Sequence, residues 1–237
     1  MRKRAGETDL GILEAHEDSL SPHLMETEAV LLKGGNVFHI PTNAGWSEGV
    51  TGSGTSAQNP HYLSVNTGVT ASSTARRYID YFAGFNLVDT NWLRLNWDKK
   101  LYLVFNYRRG GSDSEAIARV QIKETAGEGA LSAKGIGIRM DNLALVGESY
   151  GTALGSLDLG TALTDGVICQ LAIIHYPASK IEWYVNGVLK GIQSTIANIP
   201  GGIGGATASL VVSIKNGATG GVNAATQFFL PKIWQAR

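Results

Sequence analysis

A serine flanked by glycines, Gly147-Glu148-Ser149-Tyr150-Gly151, is the segment of this 237-residue chain whose spelling comes nearest to a catalytic motif. Gly-x-Ser-x-Gly marks a nucleophile elbow, which must close a strand and open a helix. Glycines at 151, 155 and 160 stand where that helix would run, so Ser149 reads as a turn residue. Glycoside hydrolysis needs two carboxylates in one groove, and on a strand that means alternate positions. Glu115, Asp158 and Glu182 each stand among apolar neighbours without such a partner, and Asp80 and Asp89 are too far apart to form a pair. These acids are read as solvated face or turn residues. Gly201-Gly202-Ile203-Gly204-Gly205 lacks the Gly-Lys-Ser/Thr ending of a phosphate loop and is read as a flexible loop.

Metal chemistry is equally sparse. The lone cysteine, Cys169, excludes an intrachain disulfide and a cysteine-based zinc site, and the five histidines show no ligand spacing. His175, on an apolar run, is read as a sheet or core residue. No cofactor is expected. A structural calcium is the single exception left open, with Asp113, Asp141, Asn142 and Asp165 as oxygen donors.

Binding groups are better represented. Aromatic rings stack on sugar rings through their flat apolar faces, and arginines hold carboxylates through two parallel hydrogen bonds. Arg76 with Tyr78, Trp92 with Trp97, and the pair Arg108-Arg109 beside Tyr107 are therefore the candidate ligand-binding residues.

The elements that must position these groups are short. Thirty glycines against six prolines imply many tight turns, and 43% hydrophobic with 17% charged residues describes an ordinary globular chain. Twenty basic and twenty acidic residues leave no net charge to draw the molecule to phosphate backbones or anionic lipid. Nucleic acid is not expected as a partner. No window approaches the roughly 18 apolar residues of a membrane helix, and Met1-Arg2-Lys3-Arg4 is followed by Ala5-Gly6-Glu7 instead of an apolar export signal. Synthesis in a cytoplasm without export is the expectation.

Residues 1–35 are charged and almost glycine-free, with helical spacing at Ile12, Leu13, His16 and Leu20 and a second start signal at Ser21-Pro22. They are expected to form a helical or extended arm for anchoring or oligomerisation, with His23 in the same set. Residues 36–59 are expected to be a linker or long loop, since 43–58 shows no periodicity. Residues 60–237 form the main domain. Strands are predicted at 61–65, 75–82, 93–96, 100–107, 115–123, 135–140, 143–147, 167–175, 181–185, 188–193, 209–215 and 227–234. Ala118, Val120 and Ile122 alternate with Arg119, Gln121 and Lys123, which predicts one buried and one wet face. Without helical crossovers, parallel pairing is excluded. The predicted fold is all-β, an antiparallel two-sheet sandwich.

Residues 167–193 sharpen this reading: a Val-Ile-Cys-Gln-Leu-Ala-Ile-Ile-His-Tyr strand, a Pro177–Lys180 turn, then Ile-Glu-Trp-Tyr-Val-Asn-Gly-Val-Leu with Asn186-Gly187 suited to a type I′ hairpin. This meander, together with the closing Phe228-Phe229-Leu230-Pro231-Lys232-Ile233-Trp234, resembles the laminin-G-like and other concanavalin-like lectin domains over about residues 60–237. That resemblance implies a concanavalin A-like jelly roll and carbohydrate binding. A second, partial resemblance lies at Ala15-His16-Glu17-Asp18-Ser19-Leu20-Ser21-Pro22-His23, which is similar to the His-x6-His segments of bacteriophage tail-fibre and other virion appendage proteins, with Ser21 where those have Asn or Asp.

Together the two resemblances imply a virion structural protein, a tail-fibre, receptor-binding or capsid-decoration type presenting a lectin-like sandwich and located in the virion. Its implied partners are its own copies, as a trimer, other virion proteins and a host cell-surface glycan. A free carbohydrate-binding lectin is the alternative, and a glycan hydrolase-like enzyme ranks third because no acid/base pair or triad is spelled out. The chain is expected not to be an enzyme.

Overall fold

The computed structural model describes residues 36–39, 46–59, 62–80, 95–110, 115–125, 129–141, 144–202, 208–219 and 223–235, with only the backbone described at 36–39, 79–80, 161–162, 230–232 and 234. The arm residues Ile12, Leu13, His16, Leu20 and His23 lie outside the described residues, as does Trp92.

Fifteen strands make up the described chain: β1 (Asn36–His39), β2 (Ser47–Thr51), β3 (Thr55–Gln58), β4 (Tyr62–Asn66), β5 (Thr74–Asp80), β6 (Leu101–Gly110), β7 (Ile117–Lys123), β8 (Gly135–Asp141), β9 (Ala144–Tyr150), β10 (Leu154–Ala162), β11 (Ile168–Tyr176), β12 (Lys180–Val185), β13 (Val188–Gln193), β14 (Ser209–Lys215) and β15 (Ala225–Gln235). One 3₁₀ turn, Ile196–Asn198, is the only helical element among the described residues. No described helix is long and apolar enough to cross a membrane.

All pairings are antiparallel. One sheet of eight strands runs β13-β12-β11-β6-β15-β4-β3, with β1 added to β15. β15 is long enough to be shared: Ala225–Phe229 pairs with β4, and Lys232–Gln235 pairs with β1 on the same flank. The second sheet runs β10-β9-β8-β7-β14-β5-β2.

The alternation of apolar residues stacks the sheets face to face. Leu101, Leu103, Phe105 and Tyr107 of β6, Leu171 and Ile173 of β11 and Trp183 of β12 meet Val120 and Ile122 of β7, Ile136 and Ile138 of β8 and Leu210 and Val212 of β14 in one continuous core. Each fully buried side chain of this size contributes about 1.5–3 kcal/mol. Trp183 crosses the sandwich and donates its indole N–H to the Gly137 carbonyl at 3.0 Å. Gly147 makes room for it, since a Cβ there would lie 2.6 Å from the indole.

The β12–β13 hairpin forms on Asn186-Gly187, both at positive φ (50° and 78°), which a type I′ turn requires. Elsewhere the expectation gives way. Residues 47–51 and 55–58, read as linker or loop, are edge strands of opposite sheets, and 36–39 is a third strand of the same stretch. Edge strands need one ladder and little burial, so Ser-, Thr- and Gly-rich sequence suffices. Residues 154–162, with glycines at 155 and 160, form β10 on another edge. No strand forms at Leu95–Asn96, where Asn96 makes an isolated bridge before a turn. Ser149 lies within β9 and is fully buried, not in a turn, because the supposed elbow continues as strand to Tyr150.

Candidate functional site

The second face of β7 is where the structure departs furthest from simple alternation. Arg119, Gln121 and Lys123 point away from the apolar core, yet Arg119 is 8% exposed, Gln121 0% and Lys123 2%. The predicted wet face is therefore buried, and its charged and amide groups pair with one another, although Arg119 Nε and Arg139 Nε make no hydrogen bond among the described residues. Register explains how. Arg119 lies beside Arg139 on β8, and Gln121 lies beside Gly137, which in turn faces Glu148 on β9. Gly137 carries no side chain to intervene, so the Gln121 amide reaches across it to donate to the Glu148 carboxylate at 3.0 Å. Lys123 donates to the other end of that amide at 2.8 Å.

Glu148 also pairs with Arg119 at 3.5 Å and Arg139 at 3.3 Å. A buried carboxylate is tolerable only when so matched, because an unpaired buried charge costs several kcal/mol. Burial lowers the Arg119 pKa, and the charge of Glu148 works against that shift. Two cations thus pair with one buried anion, and Asp141 reaches Arg139 from the exposed side at 3.7 Å. Both Glu148 oxygens are engaged, which makes this residue an acceptor in a fixed network. Alternate positions of β7 carry a base, an amide and a base, with no carboxylate pair among them.

Next to this floor stand groups that remain half-buried. Arg76 and Tyr78 on β5 lie opposite Ser213 and Val211 of β14, on the same face, with the guanidinium 5.3 Å from the phenol ring centre. Arg139 and Tyr150 are partly exposed from β8 and β9. Partly exposed arginine and tyrosine side chains of this kind can bind a hydroxyl-rich ligand through hydrogen bonds and ring stacking.

Of the predicted binding residues, the structure brings Arg76 and Tyr78 together on this face and separates the others from it. Trp97 is fully buried in the core, packed edge-on against His175 at 5.6 Å, and has no surface to offer a ligand. Arg109 is 6% exposed and pairs with Asp165 at 3.1 Å, because the alternation of β6 turns it inward while Arg108 faces out. Arg108 is exposed on the outer face of the eight-stranded sheet, far from Arg76 in strand order. Among the oxygen donors considered for calcium, Asp141 and Asp165 are held by arginines, and Asp113 and Asn142 lie outside the described residues. No three His, Cys, Asp or Glu side chains converge among the described residues.

Sequence reasoning missed the buried network and a tyrosine cluster on the outer face of the eight-stranded sheet. There Lys100 and Lys180 sit 4.4 and 4.8 Å from the Tyr176 ring centre. Glu182, expected to be solvated, is 3% exposed, paired with Lys180 at 2.7 Å and accepting from the Tyr184 hydroxyl at 2.9 Å. Burial, reinforced by Glu182, raises the Tyr176 pKa. The signal for this cluster was the hairpin register, which brings Tyr176 opposite Lys180 and Ile174 opposite Glu182.

No family model and no curated protein matches the sequence. Solved structures do share the architecture. An endo-β-1,4-glucuronan lyase from the fungus Trichoderma reesei superposes with a TM-score of 0.56 at 10% identity, over 84% of this chain and 94% of the other. The carbohydrate recognition domain of Emp47p gives 0.56 at 10% identity, over 85% and 95%. A prokaryotic β-1,3-1,4-glucanase (lichenase) from a mouse hindgut metagenome gives 0.54 at 13% identity, over 85% and 100%. The fold is therefore a concanavalin-like jelly-roll sandwich, as the hairpin and closing strand implied. At these identities the likeness is one of fold.

Proposed function

We propose that this chain is a non-catalytic, lectin-like recognition module whose seven-stranded sheet holds a saccharide against its outer face. The observation that carries the reading is the half-buried pair Arg76 and Tyr78 on the outer face of β5, the guanidinium 5.3 Å from the phenol ring centre, backed by the buried network of Arg119, Gln121, Lys123 and Glu148. That network fixes the strands behind the pair, and its one deep carboxylate is already committed. The sandwich of a named carbohydrate recognition domain gives supporting context.

The test is a glycan array followed by titration calorimetry. A bound glycan should lose at least about tenfold in affinity with Arg76→Ala or Tyr78→Ala, the scale expected for a lost charged hydrogen bond or aromatic contact. Undiminished binding by both variants would overturn the placement. Turnover of any polysaccharide by the wild type, abolished by Glu148→Gln, would replace the binding reading with the enzymatic one.

The setting proposed for this module is a virion appendage, as a trimer joined through residues 1–35 and contacting other virion proteins and a host cell-surface glycan. That setting rests on the His16 to His23 segment. The free lectin is the alternative, separated from it by the oligomeric state described in the Discussion.

A further inference from the structure

On the outer face of the eight-stranded sheet, well away from the floor just described, a depression of about 180 Å³ is lined by Ser64, Arg108, Gly110, Ala225 and Gln227. Register builds it. Ser64 pairs with Gln227 and Gln227 with Arg108, so three polar side chains cross β4, β15 and β6 in one row. The next row holds Gly110, which has no side chain, and Ala225, which has only a methyl, and their small size leaves the hollow. Two residues back along the same strands, Tyr62 and Phe229 pack as a tilted pair at 5.7 Å. On the other side stand Val167 and Ile168, 57% and 53% exposed.

Arg108 is the group that gives the hollow its chemistry. Asp165, the acid on the adjoining β10–β11 loop, is paired with Arg109 instead, and the Gly166 amide donates to the Arg109 carbonyl at 2.8 Å. Among the described residues the Arg108 side chain has no hydrogen-bond or ion-pair partner. An exposed guanidinium presents a planar fork of donors that matches a carboxylate. Here it is bordered by hydroxyl and amide groups, an aromatic pair and apolar side chains. The size is below the roughly 300–1,000 Å³ of a site that encloses a drug-sized ligand, which suits a single ring with the remainder in solvent.

We propose that this hollow is a second, separate binding site that takes an acidic sugar residue, its carboxylate on Arg108, its hydroxyls on Ser64 and Gln227 and its ring over the Gly110–Ala225 floor. A uronate within a chain and a terminal sialate both carry this chemistry.

The experiment uses the full chain and heteronuclear NMR titrations with four probes: a glucuronate tetrasaccharide, sialyllactose, and the neutral cellotetraose and lactose. Binding of one or both acidic probes is expected, with shifts centred on residues 64, 108, 110 and 227, and with weakening as salt rises. Which acidic probe binds identifies the source. Arg108→Gln should reduce affinity by at least about tenfold, as expected for a lost charge-assisted contact. A Cβ at Gly110 meets nothing closer than 3.8 Å, so Gly110→Val fills the hollow in a folded protein and should abolish binding with Arg108 intact. Lys190→Gln, an equal loss of charge on exposed β13, should leave affinity unchanged. Failure of both acidic probes to bind, equal binding of the neutral probes, or undiminished binding by Arg108→Gln would each overturn the proposal. These outcomes leave the Arg76 and Tyr78 reading untouched, since that is read at different residues.

Discussion

Single residues in this sandwich are defined by what surrounds them more than by type. His175 is fully buried, bonded to the Pro200 carbonyl at 3.0 Å and packed against Trp97. Burial lowers its pKa below the ordinary 6.5. The folded chain thus holds a neutral imidazole where the unfolded chain accepts a proton. Stability from this group is complete above pH 6.5 and is lost as pH falls from there toward the depressed folded value. Urea midpoints measured from pH 8 to pH 5 should fall over that interval in the wild type, and His175→Phe should flatten the profile there. A parallel fall in both proteins would remove His175 as the cause. The placement of His175 in a sheet was readable from its apolar neighbours. The burial of Arg119, Gln121 and Lys123 was not, since alternation tells which face a side chain takes and nothing of what covers that face.

At the level of strands and turns, legibility followed the strength of the local code. The β11–β12–β13 meander was readable because its turns are specified chemically, by Asn186-Gly187 above all. Gly187 sits at φ 78°, a region that costs other L-residues about 1–2 kcal/mol. Gly187→Val should therefore lower stability by about that amount, read as a shifted urea midpoint with an unchanged slope. An unshifted midpoint would mean that the turn adapts. By contrast β2, β3 and β10 lie on or beside sheet edges, where one ladder of backbone bonds supports sequences with little apolar alternation. Trp97 was misplaced for a related reason: aromatic character marks both a core and a ligand face, and the turn at residues 97–99 turns this indole inward. Arg108 and Arg109 show alternation working at its best, one side chain out and one in.

The molecule as a whole is a sandwich with two faces of different chemistry, and the jelly-roll class was legible from the hairpin and closing segment before any pairing was known. Of the candidate binding residues, Arg76, Tyr78 and Arg108 face outward and Trp97 and Arg109 do not, so the sequence pattern told which groups could meet a ligand for only some of them. The virion setting is tested through assembly. Because β1, β2 and β3 belong to the two sheets, the arm must be removed at residue 35 and not beyond. Light scattering coupled to size exclusion is expected to give a trimer for the full chain and a monomer for 36–237, with unchanged circular dichroism in the strand region. A monomeric full chain would favour the free lectin.

The shared flank of β15 has a mechanical corollary. Residues 1–35 join the described fold at β1, which is held to β15 by four residue pairs, whereas β15 is held to β6 by nine. Tension applied through the amino-terminal segment thus arrives first at a seam of only four pairs. β1 can peel away as a sacrificial tether, absorbing the load while the two stacked sheets and both outer faces stay intact.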